Sequence, residues 1–194
     1  MEILYSDHNI AVCVKPVGMD SEQQVPQALT QQLGGEFLPV HRLDLNVGGV
    51  MVYARTRKAA AQLSRAIQDG TMVKEYAAKI HGVPPESGDW TDLLFKDSRK
   101  NKVFTVKRKR AGVKEARLQY RRLTEEDPCT VRIRLHTGRS HQIRVQFSSR
   151  GFPLVGDHKY GARDEKKFPM LFSCHLEFPL DGRVYSFEAN PQWL

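Results

Sequence analysis

Three groups of residues have the types and spacing to do chemistry. His41, Arg42, Leu43 and Asp44 put an imidazole, a guanidinium and a carboxylate within four positions, and run directly into Gly48, Gly49 and an apolar stretch. A carboxylate at such a boundary either shapes a turn or stands at the rim of a cleft, where its ionised form can attack an electrophile or take up a proton. On these four residues alone the turn role has the stronger claim. The second group, Leu135 to Val145, gathers Arg139, His141 and Arg144 behind Gly138. Arg144 lies between Ile143 and Val145, and a guanidinium drawn among apolar neighbours needs a carboxylate partner; Asp44 is the candidate. The third is Tyr76, set in the alternating stretch Val73 to Ile80. A strand tyrosine is more often packing than a platform for stacking a base, but it can be either.

Other chemistries lack their residues. Leu43 interrupts a kinase-like His-Arg-Asp sequence, and neither a phosphate-cradling glycine loop nor a nucleophile elbow is present. Cys13, Cys129 and Cys174 are far apart and form no CxxC pair, which argues for a reducing compartment and against a disulfide framework or zinc knuckle. Cys174 and His175 are adjacent, but strand neighbours point to opposite faces. No run of about 18 apolar residues offers a membrane span, and the N-terminus has no basic region ahead of an apolar one, so it does not read as a signal peptide. The expected location is cytoplasmic.

Charge points to a polyanion. The net charge is +8, and Lys96 to Arg122 holds twelve Lys/Arg against two Asp/Glu, leaving the remainder of the chain at −2. Four consecutive cations, Lys107, Arg108, Lys109 and Arg110, repel one another unless something neutralises them.

The elements that must hold these groups are mostly strands. Residues 9–16 and the nearly continuous apolar run 48–55 read as strands, the latter buried on both faces. Residues 26–35 read as a short helix opened by Pro26 and stopped by Gly34 and Gly35, and 57–70 as an amphipathic helix with Ala60, Leu63 and Ile67 on one face. Further strands are expected at 72–82, 102–108, 115–123, 129–138, 171–179 and 183–190. Residues 139–151 fit either period: Ile143, Val145 and Phe147 alternate, while Ile143 and Phe147 share a helical face. Strands outnumber helices without regular βαβ alternation, which predicts an α+β fold with a mixed, mainly antiparallel sheet.

Taken together, "HRLDLNVGGVMVYAR", "KEYAAKIHGVP", "LHTGRSHQIRVQFSSRGFPLVGDHKYG" and the opening "VCVKPVG" resemble, in order and spacing, the signature blocks of the RluA-type pseudouridine synthases. The chain departs from that pattern at Val47 and Gly48, where the family has Thr-Ser hydroxyls able to brace the loop, and lacks the usual His-Pro after Lys-Pro-x-Gly. The resemblance implies a pseudouridine synthase fold with flanking helices and a central active-site cleft, residues 1–194 forming one catalytic domain without an appended S4-like module. It implies isomerisation of a uridine in structured RNA, rRNA or tRNA, by a monomer needing no metal or other cofactor. Asp44 would be the essential carboxylate, Arg144 the arginine that pairs with it, and Tyr76 the ring lying on the target base. Arg42 would fill the vacated base position or grip a phosphate. His41, Arg139 and His141 would shape the site and touch RNA, and Lys107 to Arg110 would hold the backbone. A second reading, a catalytically silent RNA-binding or ribosome-assembly factor, keeps the fold without the chemistry.

Overall fold

The computed structural model describes all 194 residues, Met1 to Leu194. In chain order the elements are β1 (Glu2–Ser6), β2 (Ile10–Lys15), α1 (Gln24–Leu33), β3 (Leu38–Pro39), β4 (Gly48–Ala54), α2 (Arg57–Gln68), β5 (Val73–Ile80), β6 (Ser87–Asp97), β7 (Lys102–Val106), β8 (Val113–Arg122), β9 (Cys129–Leu135), α3 (Gln142–Ser148), β10 (Leu171–Leu180) and β11 (Arg183–Glu188), with a single 3-10 turn at His158–Tyr160 before β10. The chain divides into two compact units, one made of Met1–Glu75 with Phe172–Leu194 and the other of Tyr76–Leu171.

The first unit is organised on β4, all seven of whose residues are buried. β2 and β3 pair with it antiparallel, β10 pairs with it in parallel, and β1 and β11 extend β2 and β10 antiparallel, so the sheet is mixed. The parallel pairing sets Gly49 against Ser173 so closely that any Cβ there would run into the Ser173 backbone, and Gly49 has a φ of 127°. Only glycine fits such a position. Helix α2 starts at Thr56, whose hydroxyl accepts the Ala59 N–H, satisfying one of the donors a helix start leaves open. Its Leu63 is fully buried in a cluster with Ile10, Val12, Val50, Val52, Leu176 and Phe178.

The second unit is an antiparallel run in the order β9-β8-β6-β7. Because β7 and β8 pair with opposite edges of β6, the connection 107–112 has to cross β6. It does so over Phe95, on whose ring the Arg110 guanidinium rests, 4.9 Å from the centroid. β6 has no counterpart among the strands expected from sequence, since Gly88, Asp89 and Asp92 weaken its pattern. Gly88 is there because a side chain would strike the Tyr120 ring, which packs 4.5 Å from Trp90. The ambiguous segment is the helix α3, and every residue from Gln142 to Phe147 is buried. A helix covered on all sides has no polar face, so its period could not be read.

Candidate active site

Asp44 opens a β-turn, its carbonyl accepting the Val47 N–H at 3.0 Å. The turn is fixed from several directions. The Ser21 hydroxyl donates to the Leu43 carbonyl at 3.1 Å, and the Gly18 N–H donates to the Leu45 carbonyl at 2.8 Å. Lys15, fully buried, donates its ammonium to the carbonyls of Pro16, Met19 and Leu45. Leu43 and Val47 anchor the two ends in the core at 5% and 2% exposure. Asp44 itself is half-buried. The bracing that Thr-Ser hydroxyls at 47 and 48 would supply therefore comes from Ser21 and Lys15, and a Cβ at Gly48 would already press on the Lys15 carbonyl at 3.1 Å. Burial pulls the Lys15 pKa down to about 8, while the charges of Asp20 and Asp44 act to raise it. An ammonium is thus held within the electrostatic reach of Asp44.

The other residues of the same segment divide in role. His41 accepts the Val52 N–H on its Nε2 at 3.1 Å, prolonging the β3·β4 ladder with a ring nitrogen. Burial, with Lys74 nearby, drops its pKa to about 3. This internal bond shapes the segment that leads into Asp44. Because the unfolded chain protonates this imidazole near pH 6.5 while the folded one resists until about 3, folding loses stability as pH falls through that window. At pH 5 the loss attributable to His41 is up to about 2 kcal/mol. Urea unfolding at pH 7 and pH 5 checks this: His41→Gln, which keeps an acceptor and does not titrate, should show a smaller drop than the wild type, and equal drops would refute it. Arg42 is exposed and ion-paired to Glu22 at 3.0 Å. A pair this open to water contributes about 0–1 kcal/mol, so Arg42 can exchange Glu22 for a phosphate at little cost.

In the second unit Tyr76 stands on β5, 7% exposed. Arg144 projects from the middle of α3. The carboxylate that a buried guanidinium requires is Asp157, 1% exposed, which takes Nε at 2.7 Å and Nη2 at 2.8 Å in a two-pronged bond. Nothing in the sequence anticipates Asp157 in this role. The Arg144 guanidinium also lies 5.0 Å from the Tyr160 ring centroid. Loop 137–142 is knotted by Gln142, 3% exposed, whose amide accepts from the Thr137 hydroxyl and the Arg139 N–H and donates to the Arg117 carbonyl. The Arg139 side chain donates to the Glu115 carbonyl. His141 takes a left-handed backbone, φ 50°, at the start of α3, with Nδ1 2.9 Å from the Tyr160 hydroxyl. Lys107 to Arg110 are all exposed. Lys15, Asp157 and Tyr160 are visible in the sequence, as a lysine closing an apolar strand and as two letters of "GDHKYG", but nothing local to them names their partners.

The mixed α+β sheet and the ordered motifs place the chain in a definite class. The RNA pseudouridylate synthase family profile matches residues 9–149. An RNA pseudouridine synthase of Aquifex aeolicus, itself uncharacterised, is 31% identical over 98% of this chain and 69% of its own length. The dual-specificity RNA pseudouridine synthase RluA of Escherichia coli K12 is 29% identical over 96% of this chain and 91% of its own. The solved structure of human RNA pseudouridylate synthase domain containing 1, at 23% identity, superposes with a TM-score of 0.85 over 100% of this chain and 84% of that one, a likeness of fold. The chain belongs to the RNA pseudouridine synthase family, in its RluA branch. It is accordingly an isomerase acting on uridine in RNA. No helix is long and apolar enough to cross a membrane.

Proposed function

We propose that this enzyme converts a specific uridine of structured RNA, rRNA or tRNA, to pseudouridine with Asp44 as the essential carboxylate. The observation that supports this assignment is the bracing of the Asp44 turn. Carbonyls 43, 44 and 45 are each hydrogen-bonded and a buried ammonium lies within reach, an investment that an ordinary surface turn does not need. The reaction detaches uracil from ribose, turns it over and rejoins it through carbon 5. It calls for a carboxylate that either attacks the sugar or removes a sugar proton, and Asp44 meets either demand. Tyr76 holds the pyrimidine face while the base is detached. Arg144 is the cation serving the carboxylate, its plane already set by Asp157. A target uridine within a stem must first be everted, at a cost of a few kcal/mol, and Arg42 is the side chain assigned to the space it leaves. The direct test is release of tritium from RNA labelled at carbon 5 of uridine, followed by mapping of new pseudouridines in total RNA with and without the gene.

The cations at 107–110 are assigned to the RNA backbone. Replacing all four by Gln should lower the slope of log affinity against log salt by about 3 for single-stranded RNA if each meets one phosphate. Filter binding of total RNA across a salt series measures it, and an unchanged slope removes these residues from the interface.

A further inference from the structure

Tyr160 is attached to almost every part of the second unit that this reading places in the reaction. Its ring, 5% exposed, carries two cations, with the Arg144 Cζ 5.0 Å and the Lys102 Nζ 5.2 Å from its centroid. Its hydroxyl accepts the N–H of Val103 on β7 at 2.8 Å and lies 2.9 Å from the His141 Nδ1. Its carbonyl takes the hydroxyl of Ser148, the last residue of α3, and its own N–H donates to the Asp157 carbonyl at 2.9 Å. One residue thus grips the helix bearing Arg144 at its first turn, its middle and its end. The 3-10 turn that presents this ring also starts from the carboxylate holding the guanidinium.

Two details raise this above ordinary packing. His141 keeps a left-handed backbone, which costs a non-glycine residue about 1–2 kcal/mol; such strain persists only where the surroundings enforce it, and the Tyr160 hydroxyl is one group that holds the ring there. And β7 is the outer strand of its run, bearing Lys102 and the exposed ring of Phe104 beside the basic crossing loop. The hydroxyl therefore ties the outer strand, with its exposed Phe104 ring, to the residue that opens the helix carrying Arg144.

We propose that Tyr160 is a positioning residue for the isomerisation, its hydroxyl joining β7 to His141 so that engagement of RNA along β7 and alignment of the Arg144 guanidinium are mechanically one event. The inference rests on the reading that Arg144 serves the reaction. Tyr160→Phe keeps the ring under both cations and removes only the joint. Under single turnover with enzyme in excess over tritium-labelled total RNA from cells lacking the gene, Tyr160→Phe should slow the chemical step about 10- to 100-fold, with the half-saturating enzyme concentration changing less than about threefold. His141→Asn opens the same joint from the other side without stranding the Val103 N–H, since Asn tolerates the left-handed region. It should reproduce that pattern even where Tyr160→Phe melts near the assay temperature. A wild-type rate in either folded variant, or a loss confined to affinity, overturns the proposal. Arg144→Gln separates the two claims: if it is inactive while Tyr160→Phe is fully active, the joint alone is refuted, whereas an active Arg144→Gln refutes the role given to the arginine.

Discussion

Asp44→Asn should abolish tritium release, by about 10³-fold or more, in a protein that still folds. The size of the effect follows from the chemistry. An amide is neutral over the whole working range, attacks carbon poorly and cannot remove a sugar proton, so both routes open to the carboxylate close together. Retention of the fold follows from the local geometry. What shapes the turn is the Asp44 carbonyl on the Val47 N–H, with Ser21, Gly18 and Lys15 on the neighbouring carbonyls; all of these bonds reach the backbone, and Asn is as good a turn former as Asp. Urea unfolding should show the variant still folding cooperatively, so that the lost tritium release is chemical. Undiminished tritium release from this variant would remove Asp44 from the reaction, and would leave the silent RNA-binding reading to account for the braced turn.

Asp157→Ala should be the most destabilising substitution at the polar positions discussed, costing about 3–5 kcal/mol, because it strips a buried guanidinium of a two-pronged carboxylate. Arg144 and Asp157 are respectively 9% and 1% exposed, so water cannot replace the lost bonds. The Asp157 backbone also starts the 3-10 turn that carries Tyr160. Denaturant unfolding of the purified variant reads the cost. Asp157→Asn, which restores one acceptor but no charge, should fall between the two. A stability equal to that of the wild type would mean that the pair adds nothing to the fold.

Sequence legibility tracked how local each cause is. β4 and α2 were readable because their own residues determine them: an unbroken apolar run, and a leucine at the centre of an apolar face. β6 was not, because Gly88 is explained only by the Tyr120 ring, Asp89 by Arg117 and Asp92 by Arg150, all outside the strand. α3 was ambiguous because burial on every side erased the contrast on which period-reading depends. In the candidate site the residue types and their order were legible, and with them the reaction. The partners were not. Nothing in the sequence tells that the His41 ring accepts from Val52, or that a carboxylate for Arg144 lies thirteen residues onward.

The division of the chain has a consequence for how the protein is made. The unit Tyr76–Leu171 is contiguous, whereas its companion is interrupted and needs Phe172–Leu194 to be finished. During synthesis the segment translated second can therefore mature first, as it leaves the ribosome. The opening 75 residues must wait, with the β4 edge that will receive Phe172 and Ser173 still uncovered. A chain cut before Phe172 would leave that edge without these partners, so such a truncation should be prone to aggregation.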